Sequence, residues 1–140
     1  MHKLHRIHRD VKCANVLINE QGEIKLGDFG ASSLTEPARE FVGSPCYLAP
    51  EIISALETTN GSYNSKVDIW SLGITCIELA EKNPPLHDMD AMTLMVEIPQ
   101  NDPPKLKDPS SWSEQFSDFI EKCLRKNPDE RFSAEQLLQV

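Results

Sequence analysis

Residues 65–81 place Val67, Ile69, Trp70, Leu72, Ile74, Ile77 and Leu79 around most of the circumference of one helix. A helix that is apolar on most sides is buried centrally, with the remaining chain packed around it. Asn83-Pro84-Pro85 ends this helix, since proline cannot continue the hydrogen-bond ladder. With 140 residues, 39 % of them hydrophobic and 26 % charged, the chain has the composition of one ordinary globular domain. Ser71, Gly73, Thr75 and Glu78 interrupt its richest apolar stretch, so no membrane span is expected. The first residues are basic without an apolar core, which is not the pattern of a secretory signal.

The net charge of -8 argues against nucleic-acid binding. It fits either a solvated acidic surface or the steering of basic substrates. Four cysteines, at 13, 46, 76 and 123, form no C-x-x-C pair, and no histidine stands at metal-ligand spacing. A reducing, cytoplasmic setting is expected.

Two short β-type runs, Asn15–Ile18 and Glu23–Leu26, flank a turn in which Gly22 is free to take positive φ. Residues 31–49 read as a long ordered loop, and a loop of that length inside a domain is usually functional. Helices follow. The spacing predicts one from Pro50 to about Glu57, the central one over 65–81, and one from Ala91 to Ile98 stopped by Pro99. Another is predicted over Ser113–Lys126, with Phe116, Phe119, Ile120, Cys123 and Leu124 on one face. Ser111 with Glu114, and Ser133 with Gln136, have the spacing of capping boxes, the second opening a last helix. The expected fold is mainly α with a few short β-strands.

Three motifs carry the chemistry. His8-Arg9-Asp10-Val11-Lys12-Cys13-Ala14-Asn15 matches the protein-kinase catalytic-loop pattern H-R-D-x-x-x-x-N. Asp28-Phe29-Gly30 and Ala49-Pro50-Glu51 follow in order. Phosphoryl transfer needs a positioned hydroxyl and cations on the phosphates, with little covalent help from the protein. Asp10 can accept the hydroxyl proton. Asn15 and Asp28 offer the hard oxygens that suit Mg²⁺. Lys12, two residues past Asp10, can meet the transferring phosphate as a point charge.

The runs Phe41–Glu51 and Val67–Thr75 resemble the sterile-20-like serine/threonine kinases. Pro84-Pro85-Leu86 and Trp112-Ser113 extend the similarity within the germinal-centre-kinase branch. The resemblance covers nearly the whole chain. It implies the protein-kinase fold, of which residues 1–140 would be the large, C-terminal lobe without its first helices, with ATP and Mg²⁺ as cofactors. It also implies protein substrates with serine or threonine acceptors. Asp68 resembles the buried aspartate that holds the catalytic-loop backbone. Arg131 resembles the arginine that pairs with the A-P-E glutamate, here Glu51. Ser44 stands where the family usually has threonine, and it keeps the hydroxyl that contacts the catalytic aspartate and lysine.

The chain departs from the family in three respects. It holds no G-x-G-x-x-G loop, no V-A-I-K lysine and no partner glutamate. It is therefore expected to be part of a longer protein whose N-terminal lobe is encoded upstream, and to transfer negligible phosphate alone. Glu40 stands where relatives often carry a phosphorylatable residue that pairs with Arg9. It reads either as a permanent charge ordering the loop or as a solvated glutamate. Cys13 and Cys46 read as buried spacers or as redox-sensitive thiols, and Phe132 follows Arg131 where relatives usually have proline. Two function classes remain: an ATP- and Mg²⁺-dependent kinase, and a non-catalytic interaction module such as a pseudokinase remnant or truncated isoform.

Overall fold

The computed structural model describes residues 1–140. Helix α2, Lys66–Glu81, runs through the centre with nine of its residues buried. Because its apolar residues occur on nearly every side, neighbours can pack all around it. Helix α4 (Glu114–Cys123) lies along one side, and a short 3-10 turn at Pro45–Tyr47 lies along another. Helix α1 (Pro50–Leu56) contacts α3 (Ala91–Gln100), which also touches that 3-10 turn. Helix α5 is the single turn Ala134–Leu137.

The core joins Ile7, Leu48, Ile52, Trp70, Ile74, Ile77, Ile120 and Leu124. Each such side chain contributes ~1.5–3 kcal/mol on leaving water. Gly73 lets α2 and α4 approach closely, because a Cβ there would lie 2.7 Å from the Leu124 side chain. The polar residues of α2 are satisfied locally. Thr75 Oγ1 donates to Ser71 O at 2.7 Å, and Ser71 Oγ donates to Val67 O and Tyr47 O at 3.1 and 2.8 Å. No buried side-chain nitrogen or oxygen lacks a partner.

The hairpin pairs β1 (Val16–Ile18) with β2 (Ile24–Leu26), antiparallel, with Leu17 opposite Lys25. Gly22 takes φ +80° in the connecting turn, which a side chain would resist. Residues 31–49 form the expected irregular segment. It is anchored by isolated bridges between Ser33 and Ile7 and between Ala38 and Tyr63.

Three details differ from the sequence-based expectation. Helix α3 passes through Pro99 to Gln100, since a proline near the end of a helix forfeits only one late hydrogen bond. Helix α4 is shorter than Ser113–Lys126: the Lys122 carbonyl, which the Lys126 N–H would need for the helix to continue, accepts Phe132 N at 3.3 Å instead. Its cap is Ser113, whose Oγ accepts from Phe116 N at 3.2 Å; Ser111 instead turns back to Asp108. The Ser133–Gln136 capping box is formed in both directions.

Candidate active site

The catalytic-loop motif is held from below by α2. Asp68, 4 % exposed, accepts the backbone N–H groups of His8 and Arg9, both at 2.8 Å. His2 Nε2 donates to the same carboxylate at 2.7 Å. Three donors on one buried carboxylate compensate its removal from water. They also fix the backbone at Arg9, which takes φ +70°. His8 donates from Nε2 to Gly27 O at 2.9 Å and accepts Asp10 N at Nδ1, so its tautomer is set by its two partners. Its ring meets Phe29 edge-on at 4.9 Å, which ties the H-R-D loop to the D-F-G turn.

Above this support, Asp10, Lys12 and Ser44 close a triangle. Lys12 Nζ donates to Ser44 Oγ at 2.7 Å, and Ser44 Oγ donates to Asp10 Oδ1 at 2.8 Å. Lys12 Nζ also lies 3.2 Å from Asp10 Oδ2. Partial burial alone would push the Asp10 carboxyl up. The hydrogen bonds from Ser44, Lys12 and Asn15, with the lysine charge, hold it below the ordinary carboxylate value instead. Asp10 is therefore an anion with one edge fixed and some exposure left. Gly43 brings Ser44 this close: at φ +118°, a Cβ there would lie 2.7 Å from Arg9 O.

Asn15 Nδ2 donates to Asp10 O at 2.8 Å, which leaves its amide oxygen free as a ligand. Asp28, at φ +53°, lies on the turn after β2, with Oδ1 accepting Gly30 N at 3.2 Å. Gly27 N donates to Asn15 O at 2.8 Å, so the two segments are joined through the backbone. No three His, Cys, Asp or Glu side chains converge on a metal position. An amide and a carboxylate oxygen suit Mg²⁺, which retains waters and substrate phosphates rather than requiring a complete protein cage.

The remaining sequence-predicted residues form two arginine–glutamate pairs. Arg131, 1 % exposed, bonds Glu51 through both ends of its fork at 2.5 and 3.0 Å. Its other N–H groups go to the carbonyls of Arg125, Lys66 and Lys126, which accounts for all five donors. Trp70 lies beneath the guanidinium carbon at 5.1 Å. Arg9 Nη1 meets Glu40 Oε2 at 3.0 Å, and Nε donates to Ala31 O at 2.5 Å.

The sequence-based expectation omitted His2, Tyr63 and Glu36. Tyr63 Oη donates to Glu40 O and receives Arg9 Nη1 at 3.4 Å, and Glu36 accepts Ser65 N. Tyr63 stands alone in a polar turn without periodicity, so only the tertiary contact reveals it. Burial pushes the Cys13 thiol to about 12, with the nearby Glu78 carboxylate adding to the effect, and raises Cys46 as well. Both thiols are protonated at neutral pH, which favours spacers over redox sensors.

Comparison with known proteins agrees with this geometry. The family described as Protein kinase domain matches residues 1–140. The chain is 50 % identical over 141 residues to serine/threonine-protein kinase SULU of Caenorhabditis elegans, covering 97 % of this chain and 14 % of that protein. It is also 50 % identical over 139 residues to serine/threonine-protein kinase TAO3 of Gallus gallus and TAO2 of Homo sapiens. Those matches cover 99 % of this chain and 15 % and 11 % of the two relatives. The chain thus spans a minor part of the length of these relatives. It belongs to the protein kinase family, in its sterile-20-like serine/threonine group.

Proposed function

We propose that residues 1–140 are most of the large, C-terminal lobe of a kinase domain that transfers the γ-phosphate of ATP to serine or threonine hydroxyls of proteins. The observation that carries this reading is the Asp10–Ser44–Lys12 triangle. An incoming hydroxyl can replace the Ser44 hydrogen bond at Asp10, which orients it and accepts its proton. Lys12 sits on the same edge, where negative charge develops on the transferred group. Asn15 and Asp28 would hold Mg²⁺, and the bound ion would neutralise charge on the nucleotide's phosphates. Arg9, Asp68, Glu51 and Arg131 position this machinery and do not touch substrate.

Glu40 acts in this reading as a built-in charge on the loop, doing in part what a phosphate would do opposite Arg9. The family's protein substrates and the four unpaired cysteines support a cytoplasmic setting. No helix is long and apolar enough to cross a membrane.

No glycine-rich phosphate-covering loop occurs within 1–140, so the chain alone is expected to transfer negligible phosphate. The test is Asp10→Asn in the longer protein that carries this chain, with labelled ATP and a serine-containing protein as substrates. Loss of ~100-fold or more in kcat with KM for ATP retained is expected. Undiminished transfer would overturn the assignment of Asp10.

A further inference from the structure

Helices α1 and α3 and the 3-10 turn at Pro45–Tyr47 carry no lysine or arginine of their own, although Lys126 reaches Asn101 O at the C-terminal end of α3 at 2.9 Å. Between Arg39 and Lys66, and again between Lys82 and Lys105, the sequence contains no lysine or arginine. The first interval holds Glu40, Glu51 and Glu57, and the second holds Asp88, Asp90, Glu97 and Asp102. These intervals supply α1, α3 and the 3-10 turn at Pro45–Tyr47, and α3 contacts both of the others. Two separate stretches of sequence therefore fold into one negatively charged surface. Of its acids, Glu51 is paired with buried Arg131 and Glu40 with buried Arg9, while Glu57, Asp88, Asp90, Glu97 and Asp102 have no cation partner.

This surface also carries unpartnered apolar groups. Leu94 is the buried residue of α3. On another face, Met92 and Val96, one helical turn apart, are 79 % and 51 % exposed, and Leu56 at the end of neighbouring α1 is 46 % exposed. Exposed apolar groups rimmed by charge of one sign mark an interaction surface more often than a chance arrangement. The surface runs directly to the Pro45–Tyr47 turn, whose preceding residue Ser44 hydrogen-bonds Asp10.

We propose that the α1–α3 face docks a lysine- and arginine-rich segment of the protein substrate, with aliphatic side chains of that segment set against Met92 and Val96. This rests on the kinase reading in placing the substrate's acceptor hydroxyl at Asp10. The occupant is identified by charge complementarity, since an acidic or neutral segment would gain nothing from Asp88, Asp90 and Glu57. The apolar pair supplies contact area, and the acids supply selectivity and attraction at a distance.

The test is binding without nucleotide, read by fluorescence anisotropy on the purified protein. The probe is a labelled amphipathic peptide with leucines at i and i+4 and lysines elsewhere. Controls replace its lysines with glutamates, or its leucines with glutamines. The lysine–leucine peptide is expected to bind at least ~10-fold more tightly than either control, and to weaken as salt screens the charges. Met92→Gln with Val96→Gln, which removes the apolar pair without adding charge, is expected to weaken binding of the lysine–leucine peptide ~10-fold while retaining its circular dichroism. Should that pair misfold, Glu57→Lys with Asp88→Lys, both at exposed positions, is expected to produce the same loss.

Equal binding of the glutamate peptide, or undiminished binding by the folded variants, would overturn the proposal. Self-association that disappears in Met92→Gln/Val96→Gln, read by sedimentation, would overturn it in favour of a second copy as the occupant. Failure of the kinase reading is separable. A protein that binds the peptide but never phosphorylates a substrate counts against the kinase reading alone. An active kinase indifferent to the peptide counts against the docking surface alone.

Discussion

The segment from Glu40 to Glu51 is held at its two ends by the same chemistry in different surroundings. At Glu51 the side chains of the pair are 0 % and 16 % exposed, the contact is bidentate, and every N–H of Arg131 has an acceptor. At Glu40 the arginine side chain is 5 % exposed but the carboxylate is 77 % exposed. A buried charge stripped of its partner is costly, whereas a pair open to water is screened and replaceable. The difference separates a contact that the fold requires from one that solvent and salt can weaken.

Arg131→Ala breaks the comparison at its strong end. It should cost ~3–5 kcal/mol, because Glu51 and three carbonyls lose their donors together. Urea unfolding followed by tryptophan fluorescence measures this. Arg131→Lys should recover little, since three ammonium donors cannot serve five acceptors in a planar fork. A loss below ~1 kcal/mol would place both pairs in one class.

Ser44→Ala addresses the middle of the segment. The folded-state pKa of Asp10 is depressed, so the carboxylate contributes stability that is present above the ordinary value of ~3.9 and lost as pH falls through the lower folded value. Removing the Ser44 hydroxyl should raise the Asp10 pKa, narrowing that window from the acid side. Carbon-detected NMR titration of Asp10 reads the shift, and an unmoved pKa would mean that Lys12 and Asn15 suffice.

Glu40→Ala should have the smallest effect, within ~1 kcal/mol of stability. The useful readout is local, the rate of tryptic cleavage after the exposed Arg39. A rise of a few fold at low salt is expected, shrinking toward none at high salt as the intact pair is screened too. A salt-independent change would mean that Glu40 acts through packing.

The elements that were legible in the sequence were those fixed by local rules. The apolar circumference of α2, the Gly22 turn and the Ser133–Gln136 capping box all appear where short-range chemistry puts them. The motif residues of the site were legible for a similar reason, since Asp10, Asn15 and Asp28 lie close together along the chain. What was not legible depended on partners far away in sequence. The end of α4 could not be read from residues 113–126 because Phe132 N, from beyond that stretch, takes the Lys122 carbonyl. His2, Tyr63 and Glu36 carry no local signal, and each acquires its role only when folding brings a charge or a backbone group to it.

The bonding of Arg131 also bears on how the molecule opens. One side chain joins the start of α2, the stretch after α4 and the first turn of α1. Those regions cannot detach one at a time without orphaning buried donors, so they should exchange their amide hydrogens as a single cooperative unit. The β1–β2 hairpin, with mostly exposed residues and no such tie, should exchange independently and much sooner.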